Sequence, residues 1–169
     1  MCCIYQGNIE EVVKIIILLY ISINNPPFMD LYAEEILDHY RHPRHKKSLN
    51  EISLSVMHEE KNPACGDTVR VGLMIEKGII QSVLWDGEGC AISQATMSML
   101  SDKLEGKSLQ ELDTMNAQNI LNLLNVPISK RRIKCALLSL HALHNTLQIY
   151  RSKAPYTWAD TVGNTPDPS

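Results

Sequence analysis

Hydrophobic and polar residues follow two different periods along this chain, and the change of period divides it. From Leu31 to Tyr40 apolar residues recur at helical spacing. Leu31, Ile36, Leu37 and Tyr40 can share a face, with Glu34, Glu35 and Asp38 outside it, until Pro43 stops the run. This predicts a short amphipathic helix. Residues 45–52 are polar and read as loop, and Ser53 to His58 is a short strand candidate. Thr68 to Ile75 and Ile79 to Trp85 are β-branched or apolar runs joined by Glu76-Lys77-Gly78, which is hairpin chemistry.

Past Gly87 and Gly89 the period becomes helical. Ile92, Ala95, Met99 and Leu104 fall on one stripe from Ala91 onward, with Gln94, Ser98, Ser101 and Asp102 off it and Cys90 at the N-terminal edge. Gly106 closes this helix, and Ser108-Leu109-Gln110-Glu111 is a capping box for the next. Asn116 can cap a third that runs through Leu124. A last helix from about Ser129 to Tyr150 carries Ile133, Ala136, Leu137, Leu140, Leu143 and Leu147 inward, with Cys135 in its first two turns. The tail has little periodicity and several prolines, so residues 153–169 are expected to be flexible. Helix, antiparallel strands, then helices define an α+β domain of about 120 residues.

Composition narrows the picture. At 169 residues, 44% hydrophobic and 21% charged, the chain fits one globular domain with a core. A net charge of −3 argues against bulk nucleic-acid binding. Five cysteines without close CxxC pairs point to a reducing, cytoplasmic setting rather than a disulfide scaffold. Val12 to Ile23 (VVKIIILLYISI) is interrupted by Lys14 and too short to span a bilayer comfortably. Residues 1–28 are read as an extension created by a mis-assigned start, with Met29 the true one. A real anchor is the alternative. Cys2 and Cys3 fall in that stretch.

Three cysteines remain, each beside something that favours a thiolate, the form that binds metal and attacks sulfur. Cys65 stands two residues before Asp67 in Asn62-Pro63-Ala64-Cys65-Gly66-Asp67. If that segment is extended, both side chains point the same way and can touch one ion. A plain turn capped by Asp67 is the competing reading. Cys90 follows Gly87-Glu88-Gly89, which suits a metal loop or any tight turn equally. Cys135 follows Lys130-Arg131-Arg132-Ile133-Lys134, whose cations should depress its pKa; the competing reading is a small core residue. On the first reading Cys135 is a good nucleophile or ligand. Together the segments suggest one Cys3Asp site, able to hold zinc tetrahedrally or a cluster loosely.

Taken in order, the segments resemble the iron–sulfur cluster assembly scaffolds of the IscU/NifU N-terminal family, most closely its SufU-like branch. The resemblance covers about residues 30–150. It rests on Leu31-Tyr32, on Asp38-His39-Tyr40-Arg41-His42-Pro43-Arg44, and on the Asn62–Asp67 loop. Gly89-Cys90-Ala91-Ile92-Ser93-Gln94-Ala95-Thr96 and Arg132-Ile133-Lys134-Cys135-Ala136 complete it. It implies a three-stranded antiparallel sheet packed against helices, with residues 29–152 as the assembly domain. It also implies Cys65, Asp67, Cys90 and Cys135 as ligands of a transient [2Fe–2S] cluster or of Zn2+. The implied partners are a pyridoxal-phosphate cysteine desulfurase, as persulfide donor, and apo iron–sulfur recipients or carriers. Given such a donor, Cys135 is the expected persulfide acceptor because of its cationic neighbours, with Arg132 and Lys134 the expected docking residues. No nucleic acid and no membrane are expected. Three readings follow: a scaffold that assembles or relays the cluster, a zinc-dependent sulfur acceptor of the transfer class, or a purely structural zinc module. Lys134 stands where IscU-type members carry histidine, and Ile128-Ser129-Lys130-Arg131-Arg132 replaces their chaperone-binding Leu-Pro-Pro-Val-Lys. Those changes look like SufU, whereas the 45 residues from Cys90 to Cys135 are closer to the IscU spacing.

Overall fold

The central strand collects the most strongly apolar, β-branched stretch of the chain, and the other elements are arranged around it. The computed structural model describes residues 27–50 and 52–163. It contains α1 (Pro27–Arg41), β1 (Val56–Lys61), β2 (Thr68–Glu76) and β3 (Ile79–Asp86), followed by α2 (Ala91–Ser101) and α3 (Leu109–Asp113). Next come α4 (Ala117–Leu124), a 3-10 turn over Lys130–Arg132, α5 (Ile133–Tyr150) and α6 (Trp158–Val162). The strands form one antiparallel sheet in the order β1-β2-β3. The α+β class with a three-stranded antiparallel sheet, expected from the sequence, is the fold observed.

Val69, Val71, Leu73 and Ile75 alternate onto the core face of β2, while Gly72 on the opposite face is covered by Leu49 and Leu54. Lys77 and Gly78 make the two-residue hairpin turn with φ of 50° and 75°, the doubly left-handed geometry that matches strand twist. Met74 pairs with Ser82 but Ile75 with Ile80, so Gln81 is an extra residue in β3. That bulge lets Ile80, Val83 and Trp85 all face inward. α5 lies across β1 and β2, α2 packs on α5, and α1 packs on α2. Ser108 with Glu111 and Asn116 with Asn119 form reciprocal capping boxes that start α3 and α4.

Several expectations are corrected. The first strand runs from Val56 to Lys61 rather than from Ser53 to His58, because its register against β2 is set by pairing Lys61 with Thr68. On α1 the buried residues are Ile36 and His39, while Leu31, Leu37 and Tyr40 are exposed. The polar His39 can turn inward because its Nδ1 lies 2.8 Å from Ser98 Oγ. Gln94, Ser98 and Ser101 are likewise buried, since α2 is enclosed by α1 and α5; Ser98 and Ser101 Oγ and Gln94 Oε1 find internal partners, while Gln94 Nε2 has none among the described residues. The segment read as a flexible tail contains α6, started by a Thr157–Asp160 capping box. α6 is docked where His141 Nδ1 meets Thr161 Oγ1 at 2.7 Å and the His141 ring lies 4.2 Å from Trp158. Residues 1–26 and 164–169, including the Val12–Ile23 run, lie outside the described residues. Among those described, no helix is long and apolar enough to cross a membrane.

Burial lowers the basicity of the His39, His141 and His144 rings below the ordinary histidine value of 6.5. At pH 7 these rings are mostly neutral in both folded and unfolded states, so little stability depends on them. As pH falls through about 6.5, the unfolded chain takes up protons that the folded one resists. Stability should therefore decline as pH falls below about 6.5. A combined His39→Gln, His144→Gln variant should show a flatter decline in urea titrations across that range, whatever its stability at pH 7.

Candidate metal and sulfur site

The four expected ligand residues come from one loop and the starts of two helices. β1 and β2 are joined by Asn62–Asp67, so Cys65 sits on the tip of a hairpin and Asp67 at the root of its second arm. The loop is closed by the Asn62 N–H donating to the Asp67 carbonyl at 2.8 Å and the Gly66 N–H donating to the Asn62 carbonyl at 2.8 Å. Gly66 completes it at φ +83°, in the left-handed region. Cys90 is the N-cap of α2, and Cys135 lies in the first turn of α5.

Thr68 and Glu88 exchange backbone hydrogen bonds of 2.8 and 3.1 Å, which ties the loop before Cys90 to the start of β2. That approach needs glycine. A Cβ on Gly89 would lie 2.7 Å from Asp67 Cγ and 2.6 Å from Ser93 Oγ, and one on Gly87 would collide with the Thr68 carbonyl.

Cys65, Asp67 and Cys135 offer donor atoms that all lie within 4.8 Å of one another. Cys90 is outside that set of three, yet near enough to influence the Asp67 carboxyl and the Cys135 thiol. No disulfide links the three cysteines. Cys65 Sγ and Cys135 Sγ are 3.6 Å apart. A tetrahedral zinc with bonds of about 2.3 Å holds its sulfurs about 3.8 Å apart, so the spacing suits one ion. Burial by itself would raise the Asp67 carboxyl. Hydrogen bonds from Ser93 Oγ at 2.8 Å, the Cys65 thiol and the Cys90 backbone and thiol outweigh it and hold the group below the usual carboxylate range. Asp67 is therefore charged and available as a ligand at neutral pH.

The expected depression of Cys135 is not found. Burial first, then the neighbouring thiols of Cys65 and Cys90, push its pKa up, well above an ordinary thiol. Lys134 does not face the sulfur: its Nζ lies 5.7 Å from the centre of the Trp158 ring on α6. Arg132 is exposed at the start of α5. The electrostatic reason for choosing Cys135 as acceptor thus fails in this fold. Exposure runs the other way, with Cys65 exposed, Cys90 intermediate and Cys135 buried.

Two residues escaped the sequence reading. Ser93 positions the Asp67 carboxylate, and Asn62, fully buried, donates from Nδ2 to Cys135 Sγ at 3.6 Å. Asn before Pro and Ser in a first helical turn have such common local uses that their long-range contacts leave no separate signal.

An α+β domain in which two thiols and one carboxylate converge at a sheet end, with a third thiol close by, has the donor set of a soft-metal site. The NifU-like N terminal domain family matches residues 31–156, and the chain belongs to that family. It is 33% identical over 130 residues to the zinc-dependent sulfurtransferase SufU of Bacillus subtilis (strain 168), spanning 67% of this chain and 86% of that protein. It is 30% identical over 124 residues to the iron-sulfur cluster assembly scaffold protein IscU of Buchnera aphidicola subsp. Acyrthosiphon pisum, covering 72% and 96% respectively. A solved structure of a putative SUF-system assembly scaffold from Fervidobacterium islandicum aligns with a TM-score of 0.56 at 28% identity. It covers 69% of this chain and 93% of the other.

Gly89→Ala should push the Asp67 carboxylate out of the site. Zinc affinity, read by competition with a chromogenic chelator, should fall by about 10-fold or more while the helical circular-dichroism signal is kept.

Proposed function

We propose that this protein works in iron–sulfur cluster assembly, accepting sulfur from a cysteine desulfurase and assembling or relaying a labile [2Fe–2S] cluster on Cys65, Asp67, Cys90 and Cys135. The observation that supports this best is the convergence of two free thiols, Cys65 and Cys135, with the ionised Asp67 carboxylate at an edge where one sulfur is exposed. Thiolates suit iron and zinc alike. The single oxygen donor makes a softer metal's hold weaker at that corner, which fits a cargo that must leave. The likeness to proteins named as IscU scaffolds adds to this reading.

In the transfer step a thiolate of this protein attacks the terminal sulfur of the desulfurase persulfide. A new S–S bond forms here, the old one breaks, and the desulfurase cysteine leaves as thiolate. No net oxidation or reduction occurs. Conversion of that sulfur to cluster sulfide then needs two electrons from an added thiol or other reductant. Reach selects Cys65 as the thiol that meets the partner, with Cys135 3.6 Å behind it as the next sulfur in line. Exposed Arg131 and Arg132 beside the site would attract an acidic docking surface.

A second reading is supported by the compactness of the donor set. Donors within 4.8 Å of one another suit one tetrahedral ion, whereas two irons require the donors to spread into pairs. In that reading bound zinc holds the thiolates ready and the protein is a sulfur acceptor, as the name of the Bacillus relative describes.

Protein purified without oxygen should be tested for metal, labile sulfide and persulfide after incubation with a desulfurase and cysteine. Stoichiometric sulfide with visible absorption supports the scaffold. One zinc with persulfide on Cys65 and no sulfide supports the transfer reading. Absence of both persulfide and cluster would overturn the proposal. Sulfur found on Cys135, undiminished in Cys65→Ser, would return the acceptor role to Cys135.

A further inference from the structure

Asn62 has no exposed surface, yet it carries a side chain with two donor hydrogens and one acceptor. Its Oδ1 accepts from the Ala64 N–H at 3.0 Å, inside its own loop. This contact orients the amide, because reversing it would set an NH2 against an N–H. The remaining end, Nδ2, must then face α5, and it lies 3.6 Å from Cys135 Sγ. The backbone of the same residue pairs with Asp67 and Gly66. One residue therefore fastens the hairpin bearing Cys65 and Asp67 to the sulfur of a third ligand that is 73 positions away.

We infer that Asn62 is a positioning residue for the Cys135 sulfur, donating an N–H···S hydrogen bond that aims this ligand at the site and moderates its charge. The inference rests on the reading of the four donors as a metal site. A hydrogen bond to sulfur stabilises the thiolate over the thiol. It also draws electron density from the metal–sulfur bond, which is one way proteins tune such centres. A neutral amide donor does this without adding a countercharge that would have to be desolvated. The site therefore stays net negative and attractive to a cation. Asn62 is also within the same short loop as Cys65, so a change of loop conformation would alter Cys135 as well.

Asn62→Asp separates the two halves of the side chain. The carboxylate keeps the acceptor for the Ala64 N–H, which is the structural half, and loses the donor to sulfur. In full-length protein titrated with Co2+, the sulfur-to-cobalt charge-transfer band should shift in position, and competing Zn2+ should bind about 10–100-fold more weakly. Asn62→Ala should resemble Asp in the band and in affinity, while losing additional stability without metal. In 15N-labelled wild-type protein, one Asn62 side-chain amide proton should move downfield and exchange slowly once Zn2+ is bound. The inference is overturned if that proton stays at the position of a free amide, or if Asn62→Asp shows wild-type band and affinity. Failure of the wild-type protein to bind Co2+ or Zn2+ through its cysteines would instead remove the metal-site reading itself.

Discussion

The first residue of β2 is the constraint on which the site depends. Thr68 pairs with Lys61 on one side and exchanges backbone hydrogen bonds with Glu88 on the other. One edge of this short segment thus anchors the hairpin that carries Cys65 and Asp67, and the opposite edge anchors the loop that delivers Cys90. The rest of β2 makes this junction rigid, because Val69, Val71 and Leu73 are fully buried. Each backbone hydrogen bond contributes only about 1 kcal/mol, but register changes here would move every donor at once. Gly87 and Gly89 are required by the same closeness: any side chain would occupy space already filled by Thr68, Asp67 or Ser93.

Behind the site, a polar cluster decides how the end of the chain is used. Glu60 on β1 meets His58 at 2.8 Å and the Asn145 amide at 2.6 Å, and His141 beside it meets Thr161. Asn145 also holds the Tyr156 backbone through both its amide ends, at 2.7 and 3.2 Å. Buried groups of this kind cost stability when unpaired and specify one arrangement when paired. Here they fix α6 against α5, which in turn places Trp158 beneath Lys134. A cation that the linear sequence sets next to Cys135 is turned away from it by a helix 24 residues further on.

The donor set combines opposing tendencies. Asp67 is held charged by hydrogen bonds, while Cys135 is held towards its neutral form by burial and by its neighbouring thiols. An ion or a transferred sulfur relieves the second tendency, since a bound cation replaces the missing solvation of a thiolate. The gradient from exposed Cys65 to buried Cys135 gives the site an outside and an inside. That asymmetry suits a surface that receives sulfur and keeps it from water.

By itself the sequence determined the elements whose causes are local. The hairpin followed from Lys77-Gly78, the caps from Ser108 and Asn116, and the helices from their apolar spacing. The four ligands were named from motif segments whose order and spacing resemble a family, and the fold brings Cys65, Asp67 and Cys135 together with Cys90 at their edge. What tertiary structure alone decided was polarity in context. Ser98, Gln94 and the residues of α6 looked like surface or tail because their partners lie 20 to 59 positions away, in other elements. The charge state of Cys135 was misjudged for the same reason. Proximity along the chain brings Lys134 near in sequence, but the helix and the packing of Trp158 set where its charge points, and burial sets what the thiol experiences.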